Sequence, residues 1–248
     1  MLRRIVAIVV VVACAAGVVA YQATRPAKAP ADPRVFVPSP GFFLDFSPSF
    51  RTSIADAYYL NMVQYYGEHV NGDGRLDSLP QMVDLVTRLS PHFTRPYLFG
   101  AFGLMDAGRP DVSYKILRRG FAANPGNWRF PSYLGFFAYA FATNKDKDRI
   151  AADWYSKAAA IPGSPAYLKR LAAVLLGKGG ETEKAVLLWG QIYAEGDKYS
   201  RQKAVDGLDR ILPTDKAARM KAVAPLQSTM SGKEFEALIA ELFKGYAP

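Results

Sequence analysis

Three short segments of this 248-residue chain end in proline at nearly constant spacing, which constrains the fold more than any other feature. The segments are Leu89-Ser90-Pro91, Ala123-Asn124-Pro125 and Ala160-Ile161-Pro162, so the three prolines recur at an almost fixed step. A period of roughly 34 residues is typical of stacked helical hairpins. One hairpin cannot bury its apolar face alone, so neighbouring hairpins must stack around a shared core. The sequence therefore predicts an all-α fold.

The segment closed by Pro125 has the pattern of two helices joined by a turn. Thr94 is the expected N-cap of the first helix, and the turn Ala107-Gly108-Arg109-Pro110 ends that helix. The second helix carries large apolar residues at helical spacing and stops before Pro125. Small residues that allow two helices to approach closely recur in both: Gly100, Ala101, Ser113 and Gly120.

This arrangement of residues resembles the tetratricopeptide repeat. The residues that carry the resemblance in this unit are Tyr97, Gly100-Ala101, Gly108, Ser113, Gly120 and Pro125; an earlier unit, from about Thr52 to Pro91, matches more weakly. The next unit has Leu134-Gly135 at the matching pair, followed by Ala151, Ala152, Trp154 and Ala158. The resemblance implies a right-handed superhelical solenoid of antiparallel helix pairs, in which the first helix of each pair lines the concave face.

The repeats are expected to cover residues 52–197, and a C-terminal helical cap the remaining residues 198–248. Ser164-Pro165 is expected to start the last repeat, which has Asp197 in place of the closing proline. Capping boxes are predicted at Ser78 with Gln81 and at Ser231 with Glu234. A C-terminal cap of this kind, which departs from the repeat pattern, covers the last exposed interface of a solenoid.

The N-terminal residues 1–23 are predicted to form a transmembrane signal-anchor. Arg3 and Arg4 precede an uninterrupted apolar run over residues 5–20, which is close to the minimum length for crossing a bilayer. Two alternatives stay open. A signal peptide could be cleaved after Val18-Val19-Ala20, or Cys14 could be the lipidated residue of a lipoprotein signal. Each places the bulk of the chain outside the cytoplasm, either in the periplasm or at the cell surface. With this segment, the chain resembles a membrane-anchored member of the tetratricopeptide-repeat family from a bacterial envelope.

Residues 24–51 form a predicted Pro-rich linker, because six prolines interrupt any helix and favour an extended backbone. Its end is too apolar for a free linker, since Phe42, Phe43, Leu44, Phe46 and Phe50 follow one another closely. We expect this patch to pack on the first helices, and contact with the membrane surface is the alternative.

Charge and residue usage narrow the function classes. The net charge of +9 is explained either by solubility alone or by a preference for acidic partners. No run of Lys and Arg resembles a nucleic-acid-binding arm, so no nucleic acid is expected. Cys14 is the single cysteine, which excludes an intramolecular disulfide. Residues 68–77 resemble a calcium loop only weakly, and residues 177–182 lack the order of a phosphate loop. No catalytic set, metal or cofactor is predicted.

The sequence thus predicts a membrane-tethered scaffold that binds a partner peptide or helix, with an acidic or amphipathic segment, in the concave groove. Assembly of an envelope complex is a narrower form of this hypothesis, and an envelope enzyme or glycan-binding protein is the alternative. Arg95, Arg129 and Arg170 are expected at corresponding places early in three successive first helices, where their guanidinium groups would form a ladder with apolar contacts between them. The groove residues carried over from the repeat pattern are Arg95, Leu98, Phe102, Arg129, Phe136, Tyr139, Arg170 and Lys178.

Overall fold

The computed structural model describes residues 10–18, 20, 36–46 and 48–246. In this part of the chain the regular structure is entirely helical, which confirms the all-α prediction. Residues 10–18 are helical. The other helices are α1 (Pro40–Phe46), α2 (Arg51–Val70), α3 (Leu79–Leu89), α4 (Thr94–Asp106), α5 (Pro110–Ala123), α6 (Arg129–Phe141), α7 (Lys147–Ala159), α8 (Tyr167–Lys178), α9 (Thr182–Glu195), α10 (Lys198–Ile211), α11 (Lys216–Val223) and α12 (Gly232–Leu242), with 3-10 turns at Pro48–Phe50 and Ala224–Ser228.

From α2 to α10, each helix packs against the helix that follows it, up to the pair of α9 and α10. This pattern of local packing is what short turns between antiparallel helices produce. The core therefore runs along the succession of helices as linked apolar clusters, the largest of which joins residues of α2 through α6.

The buried positions recur among the even-numbered helices from α4 to α10. In α6 the buried residues include Leu134, Gly135, Phe137 and Ala138. Sets of residues with the same spacing are buried in α4, α8 and α10. These residues are Gly100, Ala101, Gly103 and Leu104, then Ala172, Ala173, Leu175 and Leu176, and finally Ala204, Val205, Gly207 and Leu208.

The odd-numbered helices from α3 to α9 show a recurrence of their own. Ser113, Leu117 and Gly120 are buried in α5, and residues with the same spacing are buried in α3, α7 and α9. These are Leu79, Val83 and Val86, then Ala151, Tyr155 and Ala158, then Ala185, Trp189 and Ile192. Two sets of helices thus alternate along the chain, and each set has its own recurring pattern of burial. The pattern of the even-numbered helices extends into α10.

Small residues lie where the helices approach most closely. The Ser113 hydroxyl donates a hydrogen bond to the Ala101 carbonyl across the α4–α5 pair, at 2.8 Å. A Cβ atom at Gly120 would lie 2.3 Å from the Phe130 ring of α6, and one at Gly135 would lie 3.1 Å from the Tyr155 ring of α7. These contacts explain why the repeat units require small residues at these positions.

Several predicted helix caps differ from the structure. Phe93 is the N-cap of α4 and Thr94 is its first residue, while α8 starts at Tyr167, after the predicted Ser164-Pro165 start. Ser78 precedes α3, but its side chain makes no capping hydrogen bond because its backbone is helical, not extended. The capping box of Ser231 with Glu234 is confirmed.

The two ends of the described domain are covered by non-repeating elements. At the start, α1 packs on α3, where Phe43 and Leu44 contact the cluster that contains Leu85 and Val86. At the end, Leu226 packs against the α9 backbone at Gly190, where a Cβ would meet its side chain at 2.3 Å. Leu238 and Leu242 of α12 complete the same cluster.

Among the described residues, no helix has both the length and the apolar character needed to cross a bilayer. The predicted anchor over residues 1–23 lies largely outside the described residues. Of that segment, residues 10–18 and 20 are described, and all of them are exposed.

Candidate peptide-binding surface

Two of the predicted groove residues form an exposed aromatic contact between α4 and α6. Phe102 and Phe136 occupy equivalent positions in the two helices, and their ring centroids lie 6.3 Å from each other. The Phe102 ring also meets the Tyr133 ring edge to face, with centroids 5.0 Å apart. Phe102 is 38% exposed and Phe136 is 39% exposed, although each belongs to a helix with a well-packed buried face. We call Phe102, Tyr133 and Phe136 the aromatic surface.

The position of the aromatic surface follows from the periodicity of the α-helix. Arg95, Leu98 and Phe102 are spaced by three and four residues, so they lie on one side of α4. Leu98 is half-buried and packs against the main core cluster, while Arg95 is exposed. The equivalent position to Arg95 in α6 is Arg129, two helical turns before Phe136. The first turns of both helices therefore present an arginine on the side that carries the aromatic surface.

Tyr139 extends this region toward the end of α6 and is flanked by two lysines. The Lys147 ammonium lies 5.7 Å from the centroid of the Tyr139 ring, and the Lys178 ammonium lies 5.9 Å from it. Both distances are within the range of cation–π attraction. Lys178 was predicted from the sequence as a groove residue, whereas Lys147 comes from the following helix and was not.

The three predicted arginines do not share one register. Arg129 stacks over the Trp128 ring at 4.8 Å, and Arg170 lies over the Tyr199 ring at 5.6 Å. The burial pattern aligns Leu134 of α6 with Ala172 of α8, which makes Tyr167 the equivalent of Arg129. By this alignment Arg170 corresponds to Ser132, about one turn further along its helix. Arg129 and Arg170 are therefore not at equivalent positions, contrary to the expectation from the sequence.

Sequence reasoning also missed exposed aromatic residues next to these positions. Phe141 is 50% exposed, and its ring centroid lies 6.0 Å from that of Phe136. Tyr199 is 60% exposed and lies on α10, beyond the expected end of the repeats. The signal that could have found Tyr199 is the recurrence of small buried residues in α10 at the repeat spacing.

Two tyrosines of the repeat helices keep their phenol protons at neutral pH. The Tyr66 hydroxyl hydrogen-bonds the Asp106 carboxylate, and this bond, with burial and the negative charge, raises the pKa of Tyr66 to about 12. Burial is the main cause that raises the pKa of Tyr155 to about 12, with smaller contributions from Tyr167 and Tyr139. Both phenols therefore stay neutral, and that of Tyr66 donates its proton to a hydrogen bond with Asp106.

The two histidines were not predicted as site residues, and His69 is engaged in a turn. It is buried near the end of α2, and its Nδ1 lies 2.6 Å from the Asp73 carboxylate. Asp73 also accepts a hydrogen bond from the Arg75 backbone N–H, so its carboxylate is used within the turn between α2 and α3. In the described part of the chain, no cluster of His, Cys, Asp and Glu has the arrangement of a metal site.

Comparison of the chain with protein-family models, with curated proteins and with solved structures found no match.

Proposed function

We propose that this protein is a membrane-tethered, extracytoplasmic scaffold that binds an apolar and acidic segment of a protein partner on its aromatic surface. The observation that carries the proposal is the contact between Phe102 and Phe136. Two phenylalanines in successive repeat units touch each other, yet each leaves more than a third of its surface exposed. Contiguous apolar surface rimmed by charge is typical of binding sites for proteins.

The recurrence of burial supports a solenoid similar to the tetratricopeptide repeat. In such a solenoid α4, α6 and α8 would line one face, since their buried residues share one spacing. The positions equivalent to Phe102 and Phe136 would continue that face to Val174, which is 37% exposed. A row of apolar side chains across three helices suits an extended or helical peptide.

The charges around the aromatic surface indicate the chemistry of the partner. Arg95 and Arg129 lie two turns before the phenylalanines, and Lys147 and Lys178 flank Tyr139. A partner segment with carboxylates next to large apolar residues would match both features. Exposed charge pairs contribute mostly to specificity and association rate, so the apolar anchors would supply most of the affinity.

The membrane tether is proposed from the sequence of residues 1–23. Arg3 and Arg4 before the apolar run favour a cytoplasmic N-terminus and an exported domain. Protease added to the outside of spheroplasts would then digest the domain and spare a cytoplasmic control protein. Protection of the domain would contradict the proposed location.

Peptide selection tests the proposed binding surface directly. A displayed library of random peptides is selected against the full chain in detergent micelles, and the affinity of the best peptides is measured by fluorescence anisotropy. We expect selected peptides to combine aromatic or aliphatic residues with Asp or Glu, and to lose binding to the Phe102→Ser/Phe136→Ser variant.

A matched control replaces exposed apolar residues elsewhere. Leu60 is 62% exposed on α2 and Met220 is 41% exposed on α11, so the Leu60→Ser/Met220→Ser variant removes exposed apolar surface from helices that carry no residue of the aromatic surface. Equal loss of binding in both variants would contradict the proposed surface, as would selected peptides that bind the Phe102→Ser/Phe136→Ser variant normally.

A further inference from the structure

Three phenylalanines near the start of the described domain remain exposed while their neighbours pack. Phe36 is 71% exposed, Phe42 is 43% exposed and Phe50 is 66% exposed. Between them, Val37, Phe43 and Leu44 pack against the clusters of the first helices. The backbone that carries the three phenylalanines is therefore held on the domain, which keeps their side chains at its surface.

These phenylalanines lie at one end of the succession of helices. The helix α1, which contains Phe42, packs on α3, and the 3-10 turn that ends at Phe50 contacts both α1 and α2. Phe36 directly precedes Val37, whose side chain contacts the same first helices. The exposed rings thus belong to the elements that cover the N-terminal end of the domain.

The same end is connected to the apolar N-terminal run by a short stretch of chain. Residues 21–35 separate that run, which ends at Ala20, from Phe36. Even as an extended polyproline-type chain, this stretch would span only about 45 Å. If the apolar run is in a bilayer, Phe36 stays within about 45 Å of the surface of that bilayer, so the three phenylalanines can reach it.

We propose that Phe36, Phe42 and Phe50 form a second membrane contact, in which their rings insert into the interfacial region of the bilayer that holds the N-terminal segment. This inference rests on the proposed membrane tether. Burial of apolar side chains at the interface is favourable. A short tether also gives the attached domain a high effective concentration at the bilayer, so a weak affinity of the rings for lipid is sufficient.

This second contact would hold the repeats against the membrane surface. Without it, the Pro-rich segment would leave the domain free to move away from the bilayer on an extended arm. With it, the N-terminal end of the helix succession faces lipid, and α2 becomes the repeat helix nearest to the bilayer.

The test replaces each phenylalanine in turn by the photoreactive p-benzoyl-phenylalanine in the full chain. The protein is reconstituted into vesicles of phosphatidylethanolamine and phosphatidylglycerol, recovered by flotation, irradiated, and analysed for lipid adducts by mass spectrometry. Control positions are Phe136 and Tyr199, which are also exposed aromatic residues but lie on α6 and α10. We expect adduct yields at positions 36, 42 and 50 several-fold above those at the controls.

Two outcomes separate failure of the inference from failure of the tether. If the chain floats with the vesicles after an alkaline wash but the three positions give no more adduct than the controls, the second contact is wrong and the tether stands. If the chain does not float, both are wrong. Vesicles of phosphatidylcholine should give the same adducts, because the proposed contact is apolar, and loss of adducts there would contradict ring insertion.

Discussion

At the scale of single residues, Arg119 connects three helices through polar contacts. Its Nη1 donates to Asp84 Oδ1 of α3 at 2.6 Å, and its Nη2 donates to the Thr87 hydroxyl. The Thr87 carbonyl in turn accepts a hydrogen bond from the Tyr97 hydroxyl of α4, at 3.2 Å. Partial burial opposes ionisation of Asp84, but hydrogen bonds from Arg119 and Arg88 outweigh this effect and hold the pKa of Asp84 below its usual value.

The first prediction concerns the pH dependence of this contact. Because the pKa of Asp84 is lower in the folded than in the unfolded chain, its stabilising contribution is complete above about pH 4 and is lost as the pH falls through the folded value. We expect Asp84→Asn to lower the free energy of unfolding by about 1–2 kcal/mol at neutral pH. The difference from the wild type should shrink as the solution is acidified, as measured by urea denaturation.

The matched control for this prediction is Asp111→Asn. Asp111 is largely exposed, and its carboxylate lies 3.8 Å from Arg109. An exposed pair of this kind contributes little, so we expect a change below about 0.5 kcal/mol at either pH. A constant difference between wild type and Asp84→Asn from neutral to acidic pH would contradict the role given to the ionised carboxylate.

The second prediction concerns Gly135, at the contact of α6 with α7. A Cβ there would lie 3.1 Å from the Tyr155 ring and 3.2 Å from the Ala151 carbonyl oxygen, so Gly135→Leu should overpack the pair. We expect a loss of about 1–3 kcal/mol in the free energy of unfolding. Gly67 in α2 is the control because a Cβ there would meet no atom within 4 Å. Gly67→Ala should instead stabilise by up to about 1 kcal/mol, and equal behaviour of the two variants would count against tight packing at Gly135.

At the scale of helices, the sequence predicted the order of the elements better than their caps. Prolines and glycines interrupt helices through their own backbone properties, so turns can be recognised from residue type alone. The second helix of the best-defined unit was therefore correctly expected to lie between Pro110 and Asn124. Capping depends on the conformation of the preceding turn as well as on residue type. Ser78 fails as a capping residue because its backbone is helical, whereas Asp197 accepts from the Ser200 N–H at 2.8 Å in an extended conformation.

The third prediction concerns the cover over the last repeats. Leu226 is fully buried and fills the space that Gly190 leaves on α9. We expect Leu226→Ala to cost about 2–5 kcal/mol, because it removes buried apolar surface and leaves a cavity. In hydrogen-exchange measurements, Leu226→Ala should accelerate amide exchange relative to the wild type more in α9 through α12 than in α4 through α6. The reason is that stacked units are coupled mainly to their direct neighbours. Met220→Ala, at a partly exposed position, should change both measurements little.

At the scale of the whole molecule, the sequence predicted two equivalent residues of the candidate surface and missed the contacts that depend on turn length. Phe102 and Phe136 were found because they are separated by the same step as Pro91 and Pro125. Lys147 was missed because it reaches Tyr139 from the next helix, across the turn at residues 142–146. Arg170 was placed in the wrong register because the turn lengths that set the offset between α6 and α8 are not encoded in residue type.

The last prediction uses this difference in register to test how the domain presents its charges. Arg95 and Arg129 lie two turns before Phe102 and Phe136, whereas Arg170 stacks on Tyr199. We therefore expect Arg95→Gln/Arg129→Gln to remove most of the salt-sensitive part of peptide binding, and Arg170→Gln alone to leave the affinity close to that of the wild type. Fluorescence anisotropy with the selected peptides, at low and high salt, measures both effects, and circular dichroism confirms that each variant is folded. If Arg170→Gln weakened binding as much as the double substitution, the three arginines would act as one ladder, and the register of burial would not describe the binding face.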